Sequence, residues 1–466
     1  MHPETDPALI EGFLTDASNT RGEAQGLVRA RTTDEVAEVV RHCQANGIPL
    51  TVSAGRTSTT AAPVPQGGWV LSLHAMNAIT RIEPGRAAAQ ASVNLGAFQT
   101  EIERTGWFYP PDPTSRHDCT LGASIATNAS GARSFKYGAT RRWLAALEVV
   151  LPTGEILVAR RGDPIPAHWP IPSWGEPAVK TAAGYAPPRD LLDLFVGQEG
   201  TLGIVTAAEV VTAPLPGSII GFLAWFPTRA HAVGFMQTAR AAARADAAGP
   251  VSPRCLEYFD SACVGLARDR LGGVPEAAGA ALYCEQEVEA AVGEDDHLAA
   301  WIEALVAAEA LVDDTVVTTD EAGRARLLAF RHAVPAGINE RMVGYGMPKV
   351  GTDLAVPDAA LDEMMALYEA SPGEHVLFGH LGDNHLHLNL LPRTAAELAT
   401  AKEWYDALAR KAIALGGTVS GEHGIGKTKK RHLAWMVGDG VIAQFRALKA
   451  ALDPAWILGR GNLIDP

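Results

Sequence analysis

The chain has 466 residues, 47% hydrophobic and 20% charged, which suits two or three globular domains and excludes a disordered chain. Acidic residues outnumber basic ones by 53 to 39, and the net charge of -14 argues against a duplex nucleic acid partner. Five scattered cysteines, Cys43, Cys119, Cys255, Cys263 and Cys284, form no metal-type pair and fit a reducing compartment.

In chain order, Met1 to Asp6 is acidic and lacks the basic start and apolar run of a signal peptide. No stretch approaches the ~18 apolar residues of a spanning helix, so a cytoplasmic protein is expected, at most peripheral to a membrane. Gly26 to Arg29 reads as a strand. Thr32, Thr33 and Asp34 offer caps for a helix with Val36, Val39 and Val40 on one face and Gly47 at its end. Strands follow at 48–52 and 70–73, and a small-residue loop, 53–60, lies between them. Segments 110–114 and 120–131 are rich in turn formers. Strands at 146–151 and 155–159 are joined by Pro152-Thr153-Gly154, a hairpin turn. Pro164, Pro166, Pro170, Pro172 and Pro177, with Trp169 and Trp174, mark an irregular excursion. Gln198 to Gly203 places a glycine turn before another strand. Pro214-Leu215-Pro216-Gly217 is the clearest domain boundary. Beyond it, helices are predicted near 228–248 and 296–311, with strands at 218–226, 254–260, 279–287 and 376–390, an α+β pattern.

The densest chemistry lies in Gly379-His380-Leu381-Gly382-Asp383-Asn384-His385-Leu386-His387-Leu388-Asn389-Leu390. Successive side chains of a strand point to opposite faces, so His385, His387 and Asn389 share one face and the leucines the other. His380 precedes a Gly-Asp turn and folds back towards His387 in this reading. Grouped imidazoles suit a divalent metal, with His385 read as a supporting or surface residue. Downstream, glycines flank Glu422 and His423 closely in Ser420 to Gly426. Glu422 is the candidate third ligand beside His380 and His387, and His423 the candidate general base. Gly421 to Thr428 also matches the phosphate-loop pattern G-x-x-x-x-G-K-[ST]. Its context, a three-residue strand near the chain end, speaks against a nucleotide hydrolase.

Together these pieces resemble the FAD-dependent D-2-hydroxyacid dehydrogenases, which include cytochrome-type D-lactate dehydrogenases, the glycolate oxidase FAD subunit and D-2-hydroxyglutarate dehydrogenase. They are vanillyl-alcohol-oxidase-type flavoproteins. The motifs that carry the resemblance are Thr120–Gly131 with Lys136-Tyr137-Gly138, Gly197–Thr206, Gly379–Leu390, Ser420–Gly426 and Leu452-Asp453-Pro454. It implies an α+β chain. A two-subdomain FAD-binding domain of the vanillyl-alcohol-oxidase/PCMH type would span 20–215. An α+β substrate or cap domain with an antiparallel sheet would span 216–425, and 426–466 would pack back on the FAD domain. FAD, held non-covalently, would be cradled by Ala54, Gly55, Arg56, Thr57 and Ser58, and by Pro111 and Asp112. Thr120, Gly122, Ser124, Thr127, Asn128 and Gly131 would form a second loop, with Glu199, Gly203, Ile204, Val205 and Asn462 completing the site. Arg56 stands where the family has glycine, and Ala123-Ser124 where Gly-Asn is usual.

The resemblance further implies oxidation of a D-2-hydroxy acid to the 2-oxo acid. His380, His387 and Glu422 would hold zinc, with manganese or iron as alternatives. His423 would be the base, Arg331 and Lys349 would meet the substrate carboxylate, and Asn389 would bind substrate. Pro335 replaces the family's threonine a turn after Arg331. The implied electron acceptor is a quinone, a cytochrome, an electron-transfer flavoprotein or an iron–sulfur subunit, and a homodimer is compatible. Two other classes stay open. One is a metal-dependent hydrolase without flavin turnover. The other is a non-redox flavoprotein related to ether-lipid synthases, for which the His380/His387/Glu422 set would not be expected.

Overall fold

The computed structural model describes residues 2–270 and 273–466. It divides into two compact units, one of residues 1–131, 139–215 and 418–466, the other of residues 132–138 and 216–417.

Two larger sheets build the first unit, beside a short antiparallel pair of Trp107–Phe108 with Ala213–Pro214. β1 (Gly26–Arg29), β2 (Leu50–Ser53) and β3 (Trp69–Ser72) form a parallel sheet in the order β1-β3-β2. Helix α1 (Thr33–Asn46) connects the first two, capped by Thr32 Oγ1 at its start and by left-handed Gly47 at its end. Its Val36, Val39, Val40 and Cys43 pack against Leu50 and Leu71. The second sheet is antiparallel, with β4 (Ile79–Glu83), β5 (Arg86–Gln90), β6 (Leu144–Val150), β7 (Ile156–Arg160) and β8 (Ile204–Val211) in the order β4-β5-β8-β6-β7. The chain end returns to this unit. Leu50 N–H donates to Ile457 O at 2.7 Å, and Leu458 joins the α1 core. Asp453, wholly buried, accepts the N–H groups of Ile457 and Leu458 and pairs with Lys449, which accounts for the Asp453-Pro454 motif.

The second unit is built on one antiparallel sheet of eight strands. These are β9 (Ile219–Phe226), β10 (Pro253–Phe259), β11 (Ala280–Glu287), β12 (Val316–Thr318), β13 (Val350–Gly351), β14 (Leu354–Ala355), β15 (His375–His380) and β16 (His385–Leu390). Their order is β12-β9-β11-β10-β15-β16-β13, with β14 also on β16. The predicted strand 376–390 is thus two strands joined by the turn Leu381–Asp383. The sequence reading does not predict the longest helix here, α2 (Glu321–Tyr345), because Pro335 interrupts its pattern. Its apolar stripe Leu327, Phe330, Val334 and Ile338 nevertheless covers Phe259, Ala281 and Tyr283 of the sheet. Proline at 335 has no N–H to donate along the helix.

Segment 132–138, placed by the sequence in the FAD domain, belongs to the second unit. Lys136 Nζ reaches Glu287 Oε2 at 2.7 Å, and Tyr137 donates its hydroxyl to the same carboxylate. The second unit ends at Gly417, so Thr418 to Ile425 belong with the first.

Candidate active site

The second unit carries the histidine cluster. Left-handed Asn384 (φ 51°) completes the turn after β15, and the returning strand pairs His380 with His385 and Phe378 with His387. His380, His385, His387 and Asn389 therefore share one sheet face, while Leu386, Leu388 and Leu390 are buried on the other. The ligand nitrogens of the three histidines lie within 4.8 Å of one another. Each ring has one nitrogen against an outer acceptor. His380 Nδ1 lies 2.5 Å from Glu257 Oε1, His385 Nε2 is 2.7 Å from Asp353 Oδ1, and His387 Nδ1 is 3.3 Å from Thr352 O. Such partners set the tautomer and make the second nitrogen the lone-pair donor, as at histidine-ligated metals. This donor set fits a divalent cation. His385 is not a surface residue: it is wholly buried, as is Asp353.

Glu257 is the residue the sequence reading missed. Its second oxygen, Oε2, accepts from Arg331 Nε at 3.1 Å, so one buried carboxylate orients both His380 and Arg331. The available signal was a lone acid within the apolar strand Cys255 to Phe259. Asn389 is buried and donates through Nδ2 to His387 O at 3.2 Å. Lys349 is exposed just before β13, whose Gly351 pairs with Asn389.

The first unit holds Glu422 and His423. Glu422 Oε2 accepts from Lys180 Nζ at 2.9 Å and from Ser130 Oγ at 3.2 Å. His423 Nε2 stands 3.8 Å from Glu422 Oε1 and is partly exposed. The glycine turn after them is fixed by Glu199, which accepts the Ile425 and Gly426 N–H groups at 2.7 Å each. Burial pushes the Glu199 carboxyl up to about 7, against the opposing pull of those two amides.

The loop 53–60 is rich in backbone amides with no described protein partner. Among the described residues, the amides of Gly55, Arg56, Thr57, Ser58 and Thr59 donate no hydrogen bond within the protein. Consecutive unpaired amides form an anion nest, which fits a pyrophosphate. Close backbone approach shapes the rest: a Cβ at Gly131 would come 1.9 Å from Asp112 O, and one at Gly55 2.6 Å from Asp118 O. Arg56 adopts a left-handed φ of 56° and lays its guanidinium over Phe13, 5.1 Å from the ring centroid.

Several side chains of the segments expected to cradle the cofactor make contacts within the fold. Thr120 caps the short helix Leu121–Ala126, and Ser124 and Thr127 donate to Leu121 O and Ala123 O. Asn128 accepts the Arg141 N–H, and Asp112 accepts from Arg116. Asn462 binds Ala62 O, Glu199 O and Lys427. Lys427 of the phosphate-loop pattern places Nζ on Ala61 O, Ala62 O and Asn462 Oδ1, so it is a structural clip.

Residues 24–160 match the family "FAD binding domain", and residues 229–463 match "FAD linked oxidases, C-terminal domain". The chain belongs to the FAD-linked oxidases.

It is 31% identical over 448 residues to glycolate oxidase subunit GlcD of Bacillus subtilis (strain 168), covering 94% of this chain and 88% of that one. It is 30% identical to the D-lactate dehydrogenase of Anaerostipes hadrus, over 98% of this chain and 93% of the relative. It is 31% identical to the D-2-hydroxyglutarate dehydrogenase of Xanthomonas citri pv. viticola, over 99% and 94%. This FAD-linked oxidase is thus an oxidoreductase of the 2-hydroxyacid dehydrogenase family. Its fold is that of alkyldihydroxyacetonephosphate synthase, with a TM-score of 0.67 at 19% identity over 93% of this chain and 76% of that one. Among the described residues, no helix is long and apolar enough to cross a membrane.

Proposed function

We propose that this oxidase converts a D-2-hydroxy acid of the D-lactate, glycolate or D-2-hydroxyglutarate class into the 2-oxo acid. The observation that carries the reading is the set of relatives: three near-full-length matches at 30–31% identity are each named for a 2-hydroxy acid reaction. The outwardly braced histidine cluster, with His380 and His385 buried, supports metal assistance. The flavin family match disfavours the hydrolase alternative.

When bound, FAD supplies a two-electron acceptor and a divalent cation supplies a Lewis acid. His380 and His387, braced by Glu257 and Thr352, are the proposed imidazole ligands. Glu422 is the proposed carboxylate ligand, on the strength of the family resemblance. His423 takes the C2 hydroxyl proton of the substrate, histidine being the side chain most often used as a general base. Arg331, oriented by Glu257, and Lys349 meet the substrate carboxylate, and Asn389 orients the hydroxy acid. Backbone amides of 55–59 bind the cofactor pyrophosphate. Electrons leave to one of the acceptors named above.

The test is the visible spectrum of the FAD- and metal-loaded protein during anaerobic addition of D-lactate, glycolate, D-2-hydroxyglutarate and D-malate. Bleaching by one of these, and not by the L-isomer of a chiral one, is the expected result. A flavin band that no hydroxy acid bleaches would refute the substrate class and leave the family standing.

A further inference from the structure

A second basic site lies within the first unit and shares only Asn128 with the residues assigned above. Arg86, Arg141, Arg142, Arg160, Arg161 and Arg189 line a cleft of about 780 Å³, and no acidic residue is in its lining. The whole chain carries a net charge of -14, yet this cleft gathers six of its arginines.

Acids beside the cleft hold four of its guanidiniums in place. Asp193, 2% exposed, meets Arg141 at 3.3 Å, Arg161 at 2.5 Å and Arg189 at 2.9 Å. Asp190 adds a second contact to Arg161 at 3.1 Å, and Glu209 pairs with Arg86. Burial opposes ionisation of Asp193, but hydrogen bonds from Arg189 and Arg161 outweigh it and hold its carboxyl at about 2. Arg142 and Arg160 are exposed and have no carboxylate partner among the described ion pairs. Asp163 accepts the Arg160 backbone N–H at 2.8 Å, not its side chain. The Arg141 guanidinium also donates to the carbonyls of Asp193 and Val196, and its backbone N–H donates to Asn128 Oδ1, which holds it rigidly.

Acids answer Arg86, Arg141, Arg161 and Arg189, whereas Arg142 and Arg160 add like charge on the open side, which favours a counter-ion there. The arginine fork matches carboxylate and phosphate oxygens, and the volume falls within the roughly 300–1,000 Å³ of small-molecule sites. We propose that this cleft binds a small oligoanion bearing two or more carboxylate or phosphate groups, at a site separate from that of the hydroxy acid substrate.

The test is calorimetric titration of the full-length, FAD-saturated enzyme with tripolyphosphate and with citrate, at low and high KCl. One probe is expected to bind, more weakly at high salt, and the preferred probe tells phosphate from carboxylate. The double variant Arg142→Glu/Arg160→Glu should weaken binding by about tenfold or more. The milder Arg142→Gln/Arg160→Gln pair should weaken it less, and Arg31→Glu, outside the cleft, should leave it unchanged. FAD content and circular dichroism report whether the variants fold. Affinity that survives the double substitution, displacement of the probe by D-lactate, or failure of both probes to bind would overturn the proposal. Capture of polyglutamate without either small probe would also overturn it, in favour of an acidic protein surface.

Discussion

Glu257 and His380 face each other across neighbouring strands, with Glu257 Oε1 2.5 Å from His380 Nδ1, and the same carboxylate holds Arg331 Nε at 3.1 Å. One buried acid therefore braces a proposed metal ligand and a proposed substrate cation. Glu257→Gln should lower metal affinity by about 10–100-fold, the usual cost of losing an outer partner of a ligating histidine. It should also raise KM, because Arg331 loses its orienting charge. Metal content after dialysis against a metal buffer, together with steady-state kinetics, checks this. Wild-type metal retention would show that His380 needs no such brace.

Glu199 couples stability to pH. Its carboxyl is raised from 4.5 to about 7 by burial, so the folded state holds a proton that the unfolded state has released between those values. The stability it contributes is full below pH 4.5 and is lost as pH rises through about 7. The unfolding free energy of wild type relative to Glu199→Gln should therefore fall across that window and level off above it. Denaturant titrations at stepped pH measure the difference, and a pH-independent gap would refute the assignment.

Lys427 should prove structural despite its motif. Lys427→Ala leaves Ala61 O, Ala62 O and Asn462 Oδ1 without their buried donor, a loss of about 1–3 kcal/mol for each unsatisfied group. The expected outcome is a lower unfolding midpoint, no ATP hydrolysis in wild type or variant, and an unchanged KM for the hydroxy acid. Measurable wild-type ATPase would reopen the phosphate-loop reading.

Arg56 tests the altered cofactor loop. Its left-handed backbone disfavours any L side chain, and its guanidinium lies on Phe13. Arg56→Gly should keep FAD affinity close to wild type, and Arg56→Ala should be less stable than Arg56→Gly by about 1 kcal/mol. Flavin fluorescence titration and thermal unfolding report the two effects. A large loss of FAD affinity in Arg56→Gly would mean that the arginine itself contacts the pyrophosphate.

Local patterns settled much of this protein in advance. The two-residue period of a strand is a property of the pleat, so the shared face of His385, His387 and Asn389 followed from sequence alone. Thr32 and Gly47 marked their helix because caps act within one turn. The glycine turns were legible for the same reason. Tertiary structure decided whatever depends on register between distant segments. Glu257 and His380 are separated by 123 positions, and only the pairing of β10 with β15 joins them. Helix α2 forms through Pro335 because its stripe is buried on the sheet, and packing outweighs the proline penalty. The six arginines of the cleft span residues 86 to 189, and their convergence depends on the β5-β8-β6-β7 sheet order and on the buried Asp193. No periodicity along the chain encodes that meeting, because charge convergence is set in space.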